Sequence, residues 1–281
     1  MITQLAKMIE NTRIKYRLMK LTKINYIFII IKENKKTFIL LTKGDNNMSQ
    51  NLIYKTALVT GATSGIGKAI TKKLHQMNMN VVAVARNQDK LDSLAFELNN
   101  DSTLLTIQAD VSNKKEIEFV VKQAVTHFET VDVLVNNAGK MGSSRILDGS
   151  SSDWEDMIDI NIKGLLYGVN SVIGNMVNNQ KGHIVNICSD SGFEVIERLS
   201  VYCATKFSVR AISIGLEKEL ANTGVRVTNI SPGMVETELS SKSPFEENRK
   251  KLEPKDIANA VSYAISQPNH VNVNEVTVRP T

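Results

Sequence analysis

The chain has 281 residues, 42% of them hydrophobic and 22% charged, with a formal net charge of +5. That length holds one or two domains around a substantial core, and the balance of apolar and charged residues excludes a wholly disordered chain. Two cysteines, Cys188 and Cys203, exclude a disulfide-stapled scaffold and suit a reducing, cytoplasmic compartment, and no apolar run reaches the roughly 18 residues of a membrane-spanning helix.

The charge sits at one end. Residues 1–47 hold ten Lys and Arg against three Asp and Glu, so they carry +7 and the remaining chain −2. Beyond that segment nothing supports nucleic acid or an anionic membrane as a partner. The segment has no proline, no glycine before Gly44, and a vocabulary dominated by Ile, Lys, Asn, Thr and Leu. Lys43-Gly44-Asp45-Asn46-Asn47 can be encoded by AAA-GGA-GAT-AAT-AAT, which reads as a ribosome-binding site ahead of a start codon at Met48. Translated upstream sequence is one reading of residues 1–47, which are then a non-native or disordered extension; a basic amphipathic stretch on a membrane surface is the other. Residues 48–281 are expected to form a single domain.

From there two periodicities alternate. Short apolar β-type runs occur at Thr56–Val59, Val81–Val84, Leu104–Ile107, Val131–Val135, His183–Ile187, Val225–Ile230 and Val276–Val278. Between them apolar residues recur at helical spacing: Ile66, Ala69, Ile70, Leu74 and Met77, then Leu91, Leu94, Ala95 and Leu98. Further helices are expected over Lys115–Phe128, Asp153–Met176, Val201–Ala221 and Pro254–Ile265, the last with proline at a favoured first position. Strands alternating with helices, and nearly continuous in apolar character, predict an α/β fold: one Rossmann-type doubly wound parallel sheet with helices on both faces.

The first strand runs into Thr60-Gly61-Ala62-Thr63-Ser64-Gly65-Ile66-Gly67 and then a helix. Glycines there permit a tight turn and close approach of backbone to a pyrophosphate, which a helix N-terminus attracts. The spacing is G-x-x-x-G-x-G rather than G-x-G-x-x-G, and a plain structural turn uses the same residues. An acidic residue about 20 residues past the glycines, ending the second strand, would hold the ribose hydroxyls of NAD. This chain has Ala85 there and then Arg86, whose guanidinium favours a 2′-phosphate and hence NADP(H). A solvated surface arginine is the alternative.

At Asn136-Asn137-Ala138-Gly139 the sequence resembles the short-chain dehydrogenase/reductase family, from about Thr56 to Thr281. The likeness rests on ordered motifs: Thr60–Gly67, Asp110-Val111, Asn136–Gly139, Asn161, Ser189, Tyr202-Cys203-Ala204-Thr205-Lys206 and Pro232-Gly233. The stretch Gln267–Glu275 and the ending Arg279-Pro280-Thr281 resemble bacterial NADP-dependent 3-hydroxy-acid or serine dehydrogenase-like members. The resemblance implies Tyr202 as general acid/base, Lys206 holding the nicotinamide ribose and tuning Tyr202, Ser189 orienting the substrate oxygen, and Asn161 supporting a water in a proton relay. It further implies cofactor contacts from Gly61, Thr63, Ser64, Gly65, Ile66 and Gly67, from Asp110 and Val111 at the adenine, and from Asn137, Ala138 and Gly139. Pro232, Gly233, Val235 and Thr237 would complete the set, with Arg86, Tyr202 and Lys206. A homodimer or homotetramer, built on the fourth and fifth helices, is implied likewise.

The spacing makes chemical sense by itself. Tyr202 and Lys206 are four apart on a predicted helix and share a face, and a nearby ammonium favours the phenolate. Ser189 ends a strand at the sheet edge where α/β ligands bind, although serines there are also common caps. Four scattered histidines and two cysteines suggest no metal site. Cys188 should face away from the site as a core thiol, and Trp154 and Met157 are read as core or subunit contacts. The expected substrate is a small-molecule carbonyl or secondary alcohol. Its selection is expected in the loops Lys140–Ile146, Ser191–Ser200 and Glu238–Lys251, with Arg198 or Arg145 as anchor for the carboxylate of a 3-hydroxy acid. The rival readings are a reductase of bulkier ketones or diketones and a non-catalytic NADP-sensing protein.

Overall fold

The computed structural model describes residues 17–18, 26–33, 36–43, 53–242 and 250–281. It divides into two units, Met1–Leu52 and Ile53–Thr281. In the first, β1 (Arg17–Leu18), β2 (Tyr26–Glu33) and β3 (Lys36–Lys43) form an antiparallel sheet in that order. The register of β2 on β3 runs from Tyr26↔Lys43 to Glu33↔Lys36, through the β-branched run that favours a strand. Most of what was expected of residues 1–47 lies outside the described residues.

The second unit alternates strand and helix as expected: β4 (Thr56–Thr60), α1 (Gly65–Gln76), β5 (Asn80–Ala85), α2 (Gln88–Glu97), β6 (Leu104–Gln108), α3 (Lys114–Phe128) and β7 (Val133–Asn136). Then come α4 (Ser151–Ile158), α5 (Gly164–Asn178), β8 (Gly182–Ile187), α6 (Ser200–Glu219), β9 (Val225–Pro232), α7 (Pro254–Ile265) and β10 (Glu275–Val278). The strands form one parallel sheet in the order β10-β9-β8-β7-β4-β5-β6. β4, β7, β8 and β9 are buried along their whole length, which is why their sequences are continuous rather than alternating, whereas the edge strands β6 and β10 are half-exposed.

Helices cover both faces. Ile70 and Leu74 of α1 are buried where that helix packs on α7, whose Ile257, Val261 and Ile265 are buried in turn. On the other face Val120 and Ala124 of α3, Leu165, Val169 and Val172 of α5, and Val209 of α6 share a cluster with Leu58, Val82, Leu134, Ile184 and Val227. Each such Val, Leu or Ile side chain contributes about 1.5–3 kcal/mol by leaving water.

One predicted helix is interrupted. The span expected over Asp153–Met176 is α4, a π-helical turn at Asp159–Lys163, and α5, with the Gly164 amide donating to the Asp159 carbonyl. The apolar pattern continues across the turn, so periodicity does not reveal it. Its extra residue rotates Asn161 inward, where it is buried. Because all strands run the same way, their C-terminal ends share one edge. There β5 lies on one side of β4 and β7 on the other, which opens the crevice that α/β sheets use for ligands.

Candidate active site

The chain leaves β4 through Gly61 at φ +65° and enters α1 through Gly65 at φ +47°, a left-handed region that side chains with a Cβ rarely adopt. A Cβ on Gly67 would lie 2.1 Å from the Gly61 carbonyl oxygen and 2.4 Å from Asn137 Nδ2, so only glycine lets α1 close onto the sheet here. Ser64 is the N-cap but its hydroxyl caps nothing, and the first turn of α1 carries no acidic residue. The opening amides of α1 are thus presented to an anion at the positive end of the helix.

Asn137 braces this turn. Its Nδ2 donates to the carbonyls of Thr60 (2.9 Å) and Gly61 (3.3 Å), while Thr60 Oγ1 accepts the backbone amides of Asn137 (3.0 Å) and Ala138 (3.1 Å). The Asn136–Gly139 motif therefore shapes the glycine turn from the neighbouring strand.

A groove of about 340 Å³ starts at Gly61, Thr63 and Ser64 and runs over the ends of β5 and β6, past Arg86, Asp110, Val111, Ala138 and Gly139. The Asp110 carboxylate accepts from the Ser112 amide (2.9 Å) and hydroxyl (2.7 Å), which fixes the turn after β6. Arg86 is exposed, and Gln108 Nε2 holds its carbonyl at 2.9 Å. Lys90 joins it on the groove wall from the first turn of α2, where Asn87 Oδ1 caps the Lys90 amide at 2.8 Å. Sequence reading missed Lys90; its place four residues past Arg86, in the first turn of the next helix, was the available signal.

The groove opens into a cavity of about 480 Å³ that shares Gly61, Ser64 and Gly139 with it. Ser189 from just past β8, Tyr202 and Lys206 from α6, Pro232 at the end of β9, and Gly233, Val235 and Thr237 beyond it line this cavity, as do Gly65, Ile66 and Asn137. A Cβ on Gly65 would meet Thr237 Cγ2 at 3.0 Å, so the loop after β9 closes against the glycine turn. Lys206 Nζ donates to the Ile187 carbonyl at 3.0 Å and lies 5.8 Å from the Tyr202 ring centroid. Ser189 Oγ donates to Asp190 Oδ1 at 3.1 Å and accepts the Ser191 amide at 3.2 Å.

Set beside proteins of known sequence and structure, residues 55–248 match the family model described as short chain dehydrogenase. An uncharacterized oxidoreductase of Staphylococcus aureus (strain MW2) is 50% identical over 229 residues, which is 82% of this chain and 98% of the relative. This chain belongs to the short chain dehydrogenase family. Among solved structures, the closed form of serine dehydrogenase complexed with NADP+ superposes with TM-score 0.75 at 38% identity, covering 79% of this chain and 94% of that one. An actinorhodin polyketide ketoreductase with NADPH gives TM-score 0.75 at 30% identity over 82% of this chain and 97% of its own.

In this short chain dehydrogenase, Gly67 and Asn161 alone among the residues predicted for catalysis and cofactor binding stand back from both spaces. Asn161 Oδ1 accepts the Lys140 amide at 2.8 Å, and its Nδ2 donates to the Lys140 carbonyl and to Thr205 Oγ1, each at 2.9 Å. Its amide is thereby committed to structure. It nonetheless borders a small cavity, about 10 Å³, with Lys206, Asn136 and Thr60, room for roughly one water molecule.

Burial pushes the Tyr202 phenol up from its ordinary value, and the Ser189 hydroxyl is the neighbour that opposes this. Burial likewise pushes Lys206 down, since removing either group from water disfavours its charged form. The proposed anchors Arg145 and Arg198 do not line the cavity: Arg145 is paired with Asp148 at 2.6 Å, and Arg198 is exposed at a left-handed φ of +66°. The cavity's charged wall is instead Asp190, Glu194, Glu238 and, beyond β10, Arg279, with Lys206. Cys188 is buried in the core cluster, where its Sγ donates to the Lys206 carbonyl at 3.3 Å, but it also borders the cavity, and Trp154 and Met157 pack in the same cluster as Tyr202. Within the third loop, residues 243–249 lie outside the described residues.

Proposed function

We propose that this chain is an NADP(H)-dependent oxidoreductase that interconverts a secondary alcohol and a carbonyl on a small molecule, a 3-hydroxy acid being one candidate. The observation that carries the reading is the convergence of Ser189, Tyr202 and Lys206 on one cavity continuous with the glycine-turn groove. The groove's residues fit NADP(H). Gly61 and Gly65 hold the left-handed turn that brings backbone to the groove, the first amides of α1 suit a pyrophosphate, and Arg86 with Lys90, beside Ala85 where a carboxylate would hold NAD, suit a 2′-phosphate.

NADP(H), when bound, supplies or accepts the hydride. The protein's own residues do the remaining work. Tyr202 donates a proton to the substrate oxygen in reduction and takes one in oxidation. Ser189 hydrogen-bonds the same oxygen and steadies the charge that develops on it. Lys206 is held by the Ile187 carbonyl near the phenol and, when a sugar hydroxyl is in reach, binds it. Asn161 acts by holding the π-turn and its neighbours in place, with a water beside Lys206 as the next link for the proton. A substrate anion would meet Arg279 rather than Arg145 or Arg198. This chemistry is assigned to residues 48–281, and a cytoplasmic homo-oligomer is the form expected of it.

The test is NADPH oxidation with NADH in parallel, on the full chain and on protein starting at Met48, against 3-oxo acids, aldehydes and diketones. Turnover that prefers NADPH and vanishes in Tyr202→Phe is the expected result. NADPH binding without turnover on any carbonyl would instead favour a sensing role.

A further inference from the structure

We infer that Asp190 is a positioning residue for Ser189: its carboxyl group decides whether the Ser189 hydroxyl is offered to the substrate oxygen or turned away from it. The inference rests on the reading of Ser189 given above.

A serine hydroxyl has one proton to donate and two lone pairs to accept with. In Ser189 one lone pair is taken by the Ser191 amide at 3.2 Å, and the single proton is given to Asp190 Oδ1 at 3.1 Å. A substrate carbonyl is itself only an acceptor. While Asp190 is ionised, the hydroxyl that should steady the carbonyl is therefore committed elsewhere, and only its remaining lone pair, which the Tyr202 phenol also reaches, is left on the cavity side. When Asp190 holds a proton taken from solvent, its O–H fills the second lone pair of Ser189, and the serine proton is free for the substrate oxygen. Asp190 keeps its proton throughout. Nothing is transferred through it to the product.

The surroundings hold Asp190 between these states. Burial and the nearby Glu194 carboxylate favour the neutral acid, while the Ser189 hydroxyl, the Ser191 amide and Arg279 favour the anion. Arg279 approaches from beyond β10: its Cγ and Asp190 Oδ2 each lie 3.4 Å from where a Cβ on Gly233 would stand. Across the cavity Tyr202 is pushed further up by the Asp190 charge, and Lys206 and Glu238 complete the ionisable wall. The net direction is upward from the ordinary aspartate value. Asp190 thus changes charge closer to neutrality than a surface aspartate does.

The test has two arms on the full chain. In the first, carbonyl reduction is followed from about pH 4 to about pH 8 for wild type and Asp190→Asn, whose amide N–H donates to Ser189 as the protonated acid does. The wild-type kcat should fall as pH rises through the Asp190 titration, whereas Asp190→Asn should stay high, about five- to tenfold above wild type near neutrality, with KM for NADPH unchanged. Parallel profiles would overturn the inference. In the second arm the protein, free of substrate, carries carboxyl-labelled aspartate, and the resonance missing from Asp190→Asn is titrated by NMR. Its midpoint should lie above the ordinary range and move higher still in Ser189→Ala, which removes the proton that the carboxylate accepts. A midpoint indifferent to Ser189→Ala also overturns it. If the wild type reduces no carbonyl at all, the proposed function fails, and the second arm still decides the pairing of Asp190 with Ser189.

Discussion

Thr205 Oγ1 accepts from Asn161 Nδ2 at 2.9 Å and donates to the Tyr202 carbonyl at 2.7 Å, so one hydroxyl ties the π-turn to the helix that carries Tyr202 and Lys206. Both Thr205 and Asn161 are buried. Replacing Thr205 by Val keeps the shape and leaves Asn161 Nδ2 with the Lys140 carbonyl alone. The variant should lose about 1–3 kcal/mol of stability. Its kcat should fall several-fold with little change in KM for NADPH. Urea unfolding and steady-state kinetics on the same preparation check both; an unchanged kcat would separate the π-turn from the chemistry.

The second prediction concerns the mouth of the groove. Arg86 and Lys90 are the two basic side chains on its wall, one ending β5's loop and the other opening α2. If they hold a 2′-phosphate, Arg86→Ala and Lys90→Ala should each weaken NADPH binding about tenfold and leave NADH untouched, because a charge-assisted hydrogen bond is worth about 1.5–3 kcal/mol. Titration of both nucleotides against each variant measures this. Equal losses for NADPH and NADH would show that the two residues act on the fold or on a part common to both nucleotides.

A third prediction follows from a charge in the core. Arg226 is buried in β9 and has no carboxylate partner among the described residues. Its Nε donates to Tyr54 Oη at 3.0 Å, Nη1 to the carbonyl of Val271 at 2.8 Å and of Gln267 at 3.1 Å, and Nη2 to that of Ile265 at 3.1 Å. The guanidinium thus gathers the carbonyls that end α7 and begin the path to β10, at the negative end of that helix. Arg226→Met should cost about 3 kcal/mol or more, since several buried acceptors lose their donor together. Arg226→Lys should recover only part of it, because an ammonium cannot span the same fork of carbonyls. Thermal unfolding of the two variants would decide; full rescue by Lys would mean that charge alone matters here.

The order of elements was legible because buried parallel strands need continuous apolar runs, and Val81–Val84 or His183–Ile187 can be little else. The glycine turn was legible for a similar reason: Gly61 and Gly65 hold conformations that other residues resist. The π-turn was not, since Ile158, Ile160, Leu165 and Val169 keep a helical rhythm across it and the extra residue leaves no compositional trace. Arg145 and Arg198 were misplaced because loop charges are positioned by local bonds that sequence does not display, here to Asp148 and through the φ of +66°. Arg279 could have been found. It follows the last strand of a parallel sheet, and every other strand in that sheet delivers a site residue just past its C-terminal end. Asp190, next to Ser189, was passed over because adjacency in sequence does not say which way a carboxylate turns.

The last prediction turns on His183, which is fully buried in β8. Its Nε2 lies 2.7 Å from Thr228 Oγ1, whose only proton goes to the Val273 carbonyl at 2.7 Å. Nε2 must therefore be the donor, and Nδ1 is left as a bare acceptor with no partner among the described residues. A second proton on that ring would place a charge in the core close to Arg226. Burial first, and the Arg226 charge second, accordingly hold His183 well below the usual histidine value. The sign of the linkage follows from that direction. Above pH ~6.5 the ring is neutral in both folded and unfolded chains and stability is unaffected. Below it the unfolded chain takes up a proton that the folded one refuses, so stability is lost as pH falls, by at most about 1.4 kcal/mol per pH unit. His183→Gln retains a donor toward Thr228 and removes the titration. The stability difference between wild type and His183→Gln should be constant from pH ~7 upward and should shrink steadily below pH ~6.5 when urea unfolding is compared at matched pH. A difference that stays flat through this range would mean that folded His183 takes up its proton as the unfolded chain does, and the bare, unprotonated Nδ1 would have to be abandoned while the donation from Nε2 to Thr228 stands.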